Sequence, residues 1–465
     1  MWIWLTILSC ASPKPDAETT SDEATTVPWS GGLVATVDDL PAQRGWQVRR
    51  GIVHLHSPWS HDACDGDPLP DGSPDLDCLQ DLRRALCETR MDFAYLTDHP
   101  AHAADQEYLD LFHSQDGDTP IHEAGTQTGN RIHCDDGHSV LWMPGIEDTL
   151  MPVGLKAHAG STPEDSHAIY DDDSASAVQS LKDAGGVVLV AHTEGKDLEV
   201  LSDMVDAGVE GLELFNLHAA FDPTKREEDL GLDGLGWLPE ITPFTSPDGS
   251  AEPDLFVLAV LQEQSVSLER WDTLSATTSV IGVAGTDAHQ NVLPMDLRDG
   301  ERGDSYRRML RWFSNNLLIN EDITQPRPED TNEALSAGRS YVAFEILGTP
   351  SGFDLYLEGS DGQTYEMGAD TPPGTLHLVC PTLSASSPRG EQTPEFTATI
   401  FKDGVAWKTG CGDFTTDGPG VYRARVDILP NHLTDFLGED PDTWLHFYPW
   451  VYSNPFRVAP ASEGE

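Results

Sequence analysis

Basic residues are scarce in this chain: 27 Lys and Arg stand against 79 Asp and Glu among 465 residues, a formal net charge of −52. A surface of that sign repels phosphate backbones, and no basic patch interrupts it, so nucleic-acid binding is not expected. Long apolar runs are also missing, and the apolar stretch at the amino terminus is too short to cross a bilayer as a helix. No C-x2-C spacing occurs, which argues against a cysteine zinc site. No G-x-S-x-G elbow suggests a serine nucleophile, and no short internal repeat suggests a solenoid.

What remains is ample for folding. Hydrophobic residues make up 38 % of the chain and there are 12 Trp, enough for real cores, and the length favours two domains. The opening "MWIWLTILSCAS" resembles a bacterial lipoprotein signal, with residues 1–9 as the signal segment and Cys10 as the lipidated residue. The expected localisation is therefore an exported lipoprotein, periplasmic or at the outer membrane or cell surface, touching the membrane only through the anchor at Cys10. Residues 10–48, including "SPKPDAETTSDEATTVP", read as a flexible acidic tether. Six cysteines remain beyond Cys10, an even number that suits disulfides in an oxidising compartment. Cys380 and Cys411 are expected to pair; the connectivity of Cys64, Cys78, Cys87 and Cys134 stays open.

Between about residues 49 and 345, strand-like and helix-like stretches alternate, which predicts an α/β sheet or barrel. "GIVHLH", "DFAYLTDH", "SVLWMPGIED", "GVVLVAH", "GLELFN" and "SVIGVAGTDAH" read as strands; "DCLQDLRRALCETR", "SAVQSLKDAG", "DLEVLSDMVDAG" and "SYRRMLRWFSNNLLI" read as helices. Two acidic insertions, 64–78 and 221–254, interrupt the rhythm. From 346 to 460 the texture changes to β-branched and aromatic strands separated by Gly, Pro and Asp turns, which predicts an immunoglobulin-like β-sandwich of about 110 residues.

Histidines and acids fall at the carboxyl ends of successive strands. They are His54 and His56 with His61 and Asp62 just beyond, Asp98 and His99, Glu147, His192, Glu213 and Asn216, and Asp287 with His289. In an α/β barrel such ends converge on one face. Residues two apart on a strand point to one side, so His54 with His56, and Asp287 with His289, are placed to grip one ion. Any one of these is ordinarily a core histidine, a helix cap or a solvated acid; their recurrence strand after strand is what points to Zn2+, Mn2+ or Fe2+.

This order of motifs, "HLH" 54–56, "TDH" 97–99, "GIE" 145–147, "AH" 191–192, "GLELFN" 211–216 and "GTDAH" 285–289, resembles the polymerase and histidinol phosphatase (PHP) superfamily. Within it the chain looks most like the exported branch akin to carbaryl hydrolase. The resemblance implies a distorted (β/α)7 barrel with two or three divalent ions. By motif, His54, His56, Glu147 and Asp287 would hold a first ion, Glu147 bridging to a second with His192. His99 and His289 would serve a third, joined by His61 or Asp62. His158 stands where relatives carry a further histidine and is a candidate catalytic or substrate-contact residue. Asp98, Glu213 and Asn216 would orient ligands rather than bind.

The implied chemistry is hydrolysis: water activated between ions attacks phosphorus or a carbonyl carbon, with Asp287 or a nearby histidine, His289 or His158, relaying a proton. Lys196 and Lys156 are candidate substrate cations. A phosphoester is favoured as the small-molecule substrate over a carbamate or amide. A metal-retaining cell-surface binding protein without turnover is the reading from another class. The partner of the C-terminal strands is unknown.

Overall fold

The structure, a computed structural model, describes residues 29–30, 35–384 and 388–460. The proposed signal segment and Cys10 lie outside the described residues. The expected tether does not extend to residue 48: Ala35 and Val37 are buried, and the first strand, β1, already starts at Trp46.

Strands β1 (Trp46–Leu55), β2 (Phe93–Tyr95), β3 (Thr119–Glu123), β4 (Thr126–His133), β5 (Ser139–Met143), β6 (Leu150–Val153), β7 (Val187–Val190), β8 (Gly211–Asn216) and β9 (Ile281–Ala288) carry the α/β part. β1 pairs in parallel with β2 on one side and β9 on the other; β5 lies parallel to β2, and β8 to both β7 and β9. β6 is antiparallel to β7, and the bridge Gly145–Val153 links the end of β5 to β6. The strands read as near-continuous apolar runs because both faces are covered; β7, Val-Val-Leu-Val, is buried throughout. Outside them lie helices such as Leu76–Glu88, capped by the Asp75 carboxylate accepting from the Asp77 and Cys78 amides.

Two expectations are corrected. "SYRRMLRWFSNNLLI" is not one long helix: it stops at Trp312, and Phe313 turns extended into a strand, β10 (Ser314–Asn320), paired antiparallel with β1. Its helical periodicity lost to the ladder that the edge of β1 offers. The antiparallel hairpin β3–β4, inserted between β2 and β5, was not anticipated at all.

β10 pairs with β11 (Ser340–Ala343), and β11 with the strand 448–453, so a sheet continues across residue 346 into the C-terminal strands. There it runs on through 420–429 to 395–402, while 354–359, 364–366, 374–379 and 412–415 form a separate four-stranded antiparallel sheet. Scarce cations are spent inside: Arg50 and Arg308 are fully buried, paired with Glu345 at 2.7 Å and with Asp254.

Three disulfides, Cys64–Cys78, Cys87–Cys134 and Cys380–Cys411, use all six cysteines beyond Cys10. Cys87–Cys134 closes 47 residues of chain. Replacing both with Ala is expected to lower stability by about 2–4 kcal/mol through restored freedom of the unfolded chain. Urea unfolding with and without the pair checks this.

Candidate metal centre

The site begins with backbone irregularities. β1 and β9 lose register between Val53 and Leu55, with one extra residue on β9, and β8 carries an extra residue between Glu213 and Phe215. His54, His192 and Asp287 take left-handed φ values of 70°, 51° and 46°. Such conformations are unfavourable for residues other than Gly, and they persist where the surroundings impose them. The two-residue alternation expected of a regular strand is therefore not what aims His54 and Asp287; bulged, left-handed backbone does. Gly285 is required at its place, because a Cβ there would overlap the Glu213 carboxylate.

These bends bring five imidazoles around one carboxylate. Asp287 Oδ1 lies 3.1 Å from His56 Nε2, 3.3 Å from His54 Nε2 and 3.9 Å from His289 Nε2. Its Oδ2 lies 3.4 Å from His192 Nε2 and 3.6 Å from His218 Nδ1. Four of the rings have their opposite nitrogen committed. His54 Nδ1 donates to Glu213 at 2.6 Å, His192 Nδ1 to Glu194 at 3.1 Å and His289 Nδ1 to Asn291 Oδ1 at 2.7 Å. His56 Nδ1 contacts Ser60 Oγ at 3.0 Å, and that hydroxyl donates onward to Asp62. With Nδ1 as the donor, neutral rings would turn Nε2 lone pairs toward carboxylate oxygens, which only positive charge between them, a shared proton or a metal ion, relieves. His289 Nε2 is buried and makes no hydrogen bond.

The donor set fits divalent metal. Four groups of three have ligand atoms within 4.8 Å of one another: His54–Glu147–His192, His54–His56–Asp287, His56–Asp62–His99 and His218–Asp287–His289. A nitrogen has one lone pair, so the four cannot all be filled; the first, third and fourth share no residue. Mixed imidazole and carboxylate donors suit Zn2+, Mn2+ or Fe2+. Glu147 reaches two groups, with Oε1 3.5 Å from His192 Nε2 and Oε2 2.8 Å from His99 Nδ1. A fifth acidic group, Asp254–Asp299–Glu301, is occupied by Arg307 and Arg308.

Several sequence assignments change. The third ligand set divides, since His99 joins His56 and Asp62 while His289 joins Asp287 and His218. Of the pair left open, Asp62 faces the cluster, 3.2 Å from His99 Nε2, whereas His61 is exposed with its ring 4.8 Å from that of His99. His158 belongs to no ligand group; Tyr170 OH and the Gln106 carbonyl engage its two nitrogens at 3.1 and 2.9 Å. Lys156 pairs with Glu123 at 2.6 Å instead of waiting for substrate. Asp98 holds no imidazole: it accepts from the amide and hydroxyl of Ser57, fixing the chain just past His56, and burial pushes its pKa up to about 7.

Glu213 and Asn216 contact the candidate ligand residues directly. Glu213 also accepts from the His192 amide at 2.8 Å, and Asn216 Nδ2 donates to Glu213 and Asp287 at 3.1 and 3.3 Å. The Lys196 ammonium has no hydrogen bond or ion pair among the described residues; burial lowers its pKa although Glu194 and Glu147 oppose. His218 and Glu194 escaped the sequence reading, although each stands two residues beyond a selected one, in "FNLH" and "AHTE".

No protein-family model matches the chain, and no curated protein matches it. Two solved structures are similar. PsfC from Pseudomonas syringae has 13 % identity and a TM-score of 0.34, over 62 % of this chain and 88 % of its own. A two-domain protein from Bacteroides vulgatus, described as containing a predicted PHP-like metal-dependent phosphoesterase, has 10 % identity and a TM-score of 0.33, over 90 % and 98 %. Likeness that loose carries no argument about function, which rests on the side chains.

Without a cation the acids make the rings basic. Burial lowers the pKa of His99 and His192, but Asp62 and Glu147 push the first up to about 11, and Glu194 and Asp287 push the second to about 9. Both rings thus carry protons at neutral pH that a metal must displace, so metal affinity should rise with pH up to about 11, more steeply below about 9, with proton release on binding. Calorimetry in buffers of different ionisation enthalpy reads that release. Glu213→Gln should weaken Zn2+ or Mn2+ binding about 10- to 100-fold, because His54 loses its orienting carboxylate, while Lys156→Ala leaves it unchanged.

Proposed function

We propose that this chain is a metal-dependent hydrolase of the PHP kind, acting on a small-molecule phosphoester. The observation that carries the reading is Asp287, shared among five imidazoles, with Glu147 extending the set toward His99. Adhesion alone would give no reason for so many aligned lone pairs in one buried cluster.

When bound, divalent ions would supply Lewis acidity and make water a nucleophile near neutral pH. The chain's own residues do the rest. Glu213, Glu194 and Asn291 keep their histidines in one tautomer and one orientation. Lys196, unpaired and beside Glu147, offers an ammonium to a phosphoryl oxygen. His218, 3.6 Å from Asp287 and on the open side of the cluster, is placed to hand a proton to the leaving oxygen. Its side chain remains 40 % exposed, so it can meet both solvent and substrate.

Lys196 is a single cation, whereas phosphate sites commonly gather several, and this favours a second reading in which the bond cleaved is a carbamate or amide. Purified protein loaded with Mn2+ or Zn2+ and assayed on nitrophenyl phosphate, bis-nitrophenyl phosphate and an aryl carbamate separates the two. Turnover of a phosphate ester, abolished in His54→Ala and reduced at least about 100-fold in His218→Asn, is the expected result. Carbamate turnover alone would replace it, and metal uptake without any turnover would leave a binding protein.

We further propose export, with lipid on Cys10 and the strands after residue 346 as an accessory β unit. Three disulfides support an oxidising compartment. Palmitate labelling should be lost in Cys10→Ser.

A further inference from the structure

A cavity of about 650 Å³ opens beside the ligand cluster and shares Asp62, His218, Asp287 and His289 with it. Beyond that polar edge its walls are apolar. The ring centroid of Phe221 lies 5.2 Å from that of Trp237, 5.8 Å from Phe256 and 6.0 Å from Trp312, which makes one contiguous aromatic wall. Leu235 and Leu238, from the same acidic insertion as Trp237, also line it, as does Val292 from the loop after β9.

These three aliphatic side chains are 54 %, 44 % and 60 % exposed, an unfavourable position for large apolar groups gathered at one opening. A ligand that covered them would gain from their burial. Charge narrows the ligand further. No Lys or Arg lines this cavity, whereas Asp222 does, in addition to Asp62 and Asp287; Asp304, also in the wall, is paired with Arg302 at 2.6 Å. A second anionic substituent on a substrate would enter a space walled by carboxylates with no side-chain cation to meet it.

We propose that this cavity is the leaving-group subsite, and that the natural substrate is an ester whose alcohol portion is bulky, apolar and uncharged. The inference rests on the hydrolytic reading above and narrows it, away from nucleotides, sugar phosphates and other polyanionic or strongly polar esters. The ester group is held at the cluster while the alkyl or aryl portion lies against Phe221, Trp237 and Trp312. When the ester bond breaks, its bonding electron pair leaves with the alcohol oxygen, which takes a proton at the His218 edge. Water supplies the oxygen that joins phosphorus.

The test uses the full chain loaded with Mn2+. Phosphate monoesters of methanol, butanol and cyclohexylmethanol, alcohols of similar acidity, are compared by phosphate release. Methylphosphonate and cyclohexylmethylphosphonate, which have no ester bond to cleave, are compared by calorimetric binding. The expected result is a rise in kcat/KM of at least about tenfold from the methyl to the cyclohexylmethyl ester, as burial of several methylenes would give. Phosphonate affinity should follow the same order. Leu235→Asp and, independently, Trp237→Ala should bring both ratios toward one; Leu235 is exposed enough that its change does not disturb a core.

Ratios near one in the unaltered protein, or ratios that neither substitution moves, would overturn the subsite. Equal turnover of all three esters would keep the hydrolase and remove the subsite. Absence of turnover with a preserved phosphonate preference would do the reverse.

Discussion

The demand for positive charge around one buried carboxylate governs the centre of this molecule. Asp287 is buried with five imidazole nitrogens 3.1 to 3.9 Å from its oxygens, and most of those rings have their proton fixed on the far side by another acceptor. Buried carboxylates facing unprotonated nitrogen are costly unless positive charge lies between them. Protons can supply it, and the raised pKa values of His99 and His192 are the form this takes without metal. Divalent ions would supply it to several donors at once.

The rest of the site serves that constraint. Left-handed backbone at His54, His192 and Asp287 costs conformational energy; at His54 and Asp287 it is held where β1, β8 and β9 pair through offset ladders, and the His192 amide is held by Glu213. Glu213 ties two of these points together, accepting from the His54 ring and the His192 amide. Gly285 leaves room for its carboxylate. Asn216 spans from Glu213 to Asp287 with its amide nitrogen while its Oδ1 accepts from the Ala219 amide at the start of a helix. Ligand geometry is thus fixed by neighbours on rigid strands and not by the flexibility of loops.

Charge is distributed to match. Few cations exist, and several are buried as structural partners of acids, Arg50 with Glu345 and Arg308 with Asp254. Little positive side-chain charge is left for substrate beyond Lys196. On the function proposed above, recognition falls to the ligand cluster for the reacting group and to apolar area for the remainder, which is the division between that cluster and the aromatic wall beside it.

The sequence by itself determined which residue types recur at strand ends. That pattern singled out His54, His56, His99, Glu147, His192 and Asp287, which the fold places in candidate ligand groups. It determined much of the alternation of strands and helices up to residue 345, apart from the hairpin β3–β4 and the strand at 314–320, and the predominance of strands after 346, since these depend on local periodicity. Only the tertiary structure decided between His61 and Asp62, placed His158 against Tyr170 and Lys156 on Glu123, and added His218 to the cluster. Neighbouring residues carry similar local signals, and only the packed strands settle which side chain turns inward. Likewise the helical pattern of 306–320 gave way where β1 presented an unpaired edge, because a ladder between distant segments outweighs the preference of either alone.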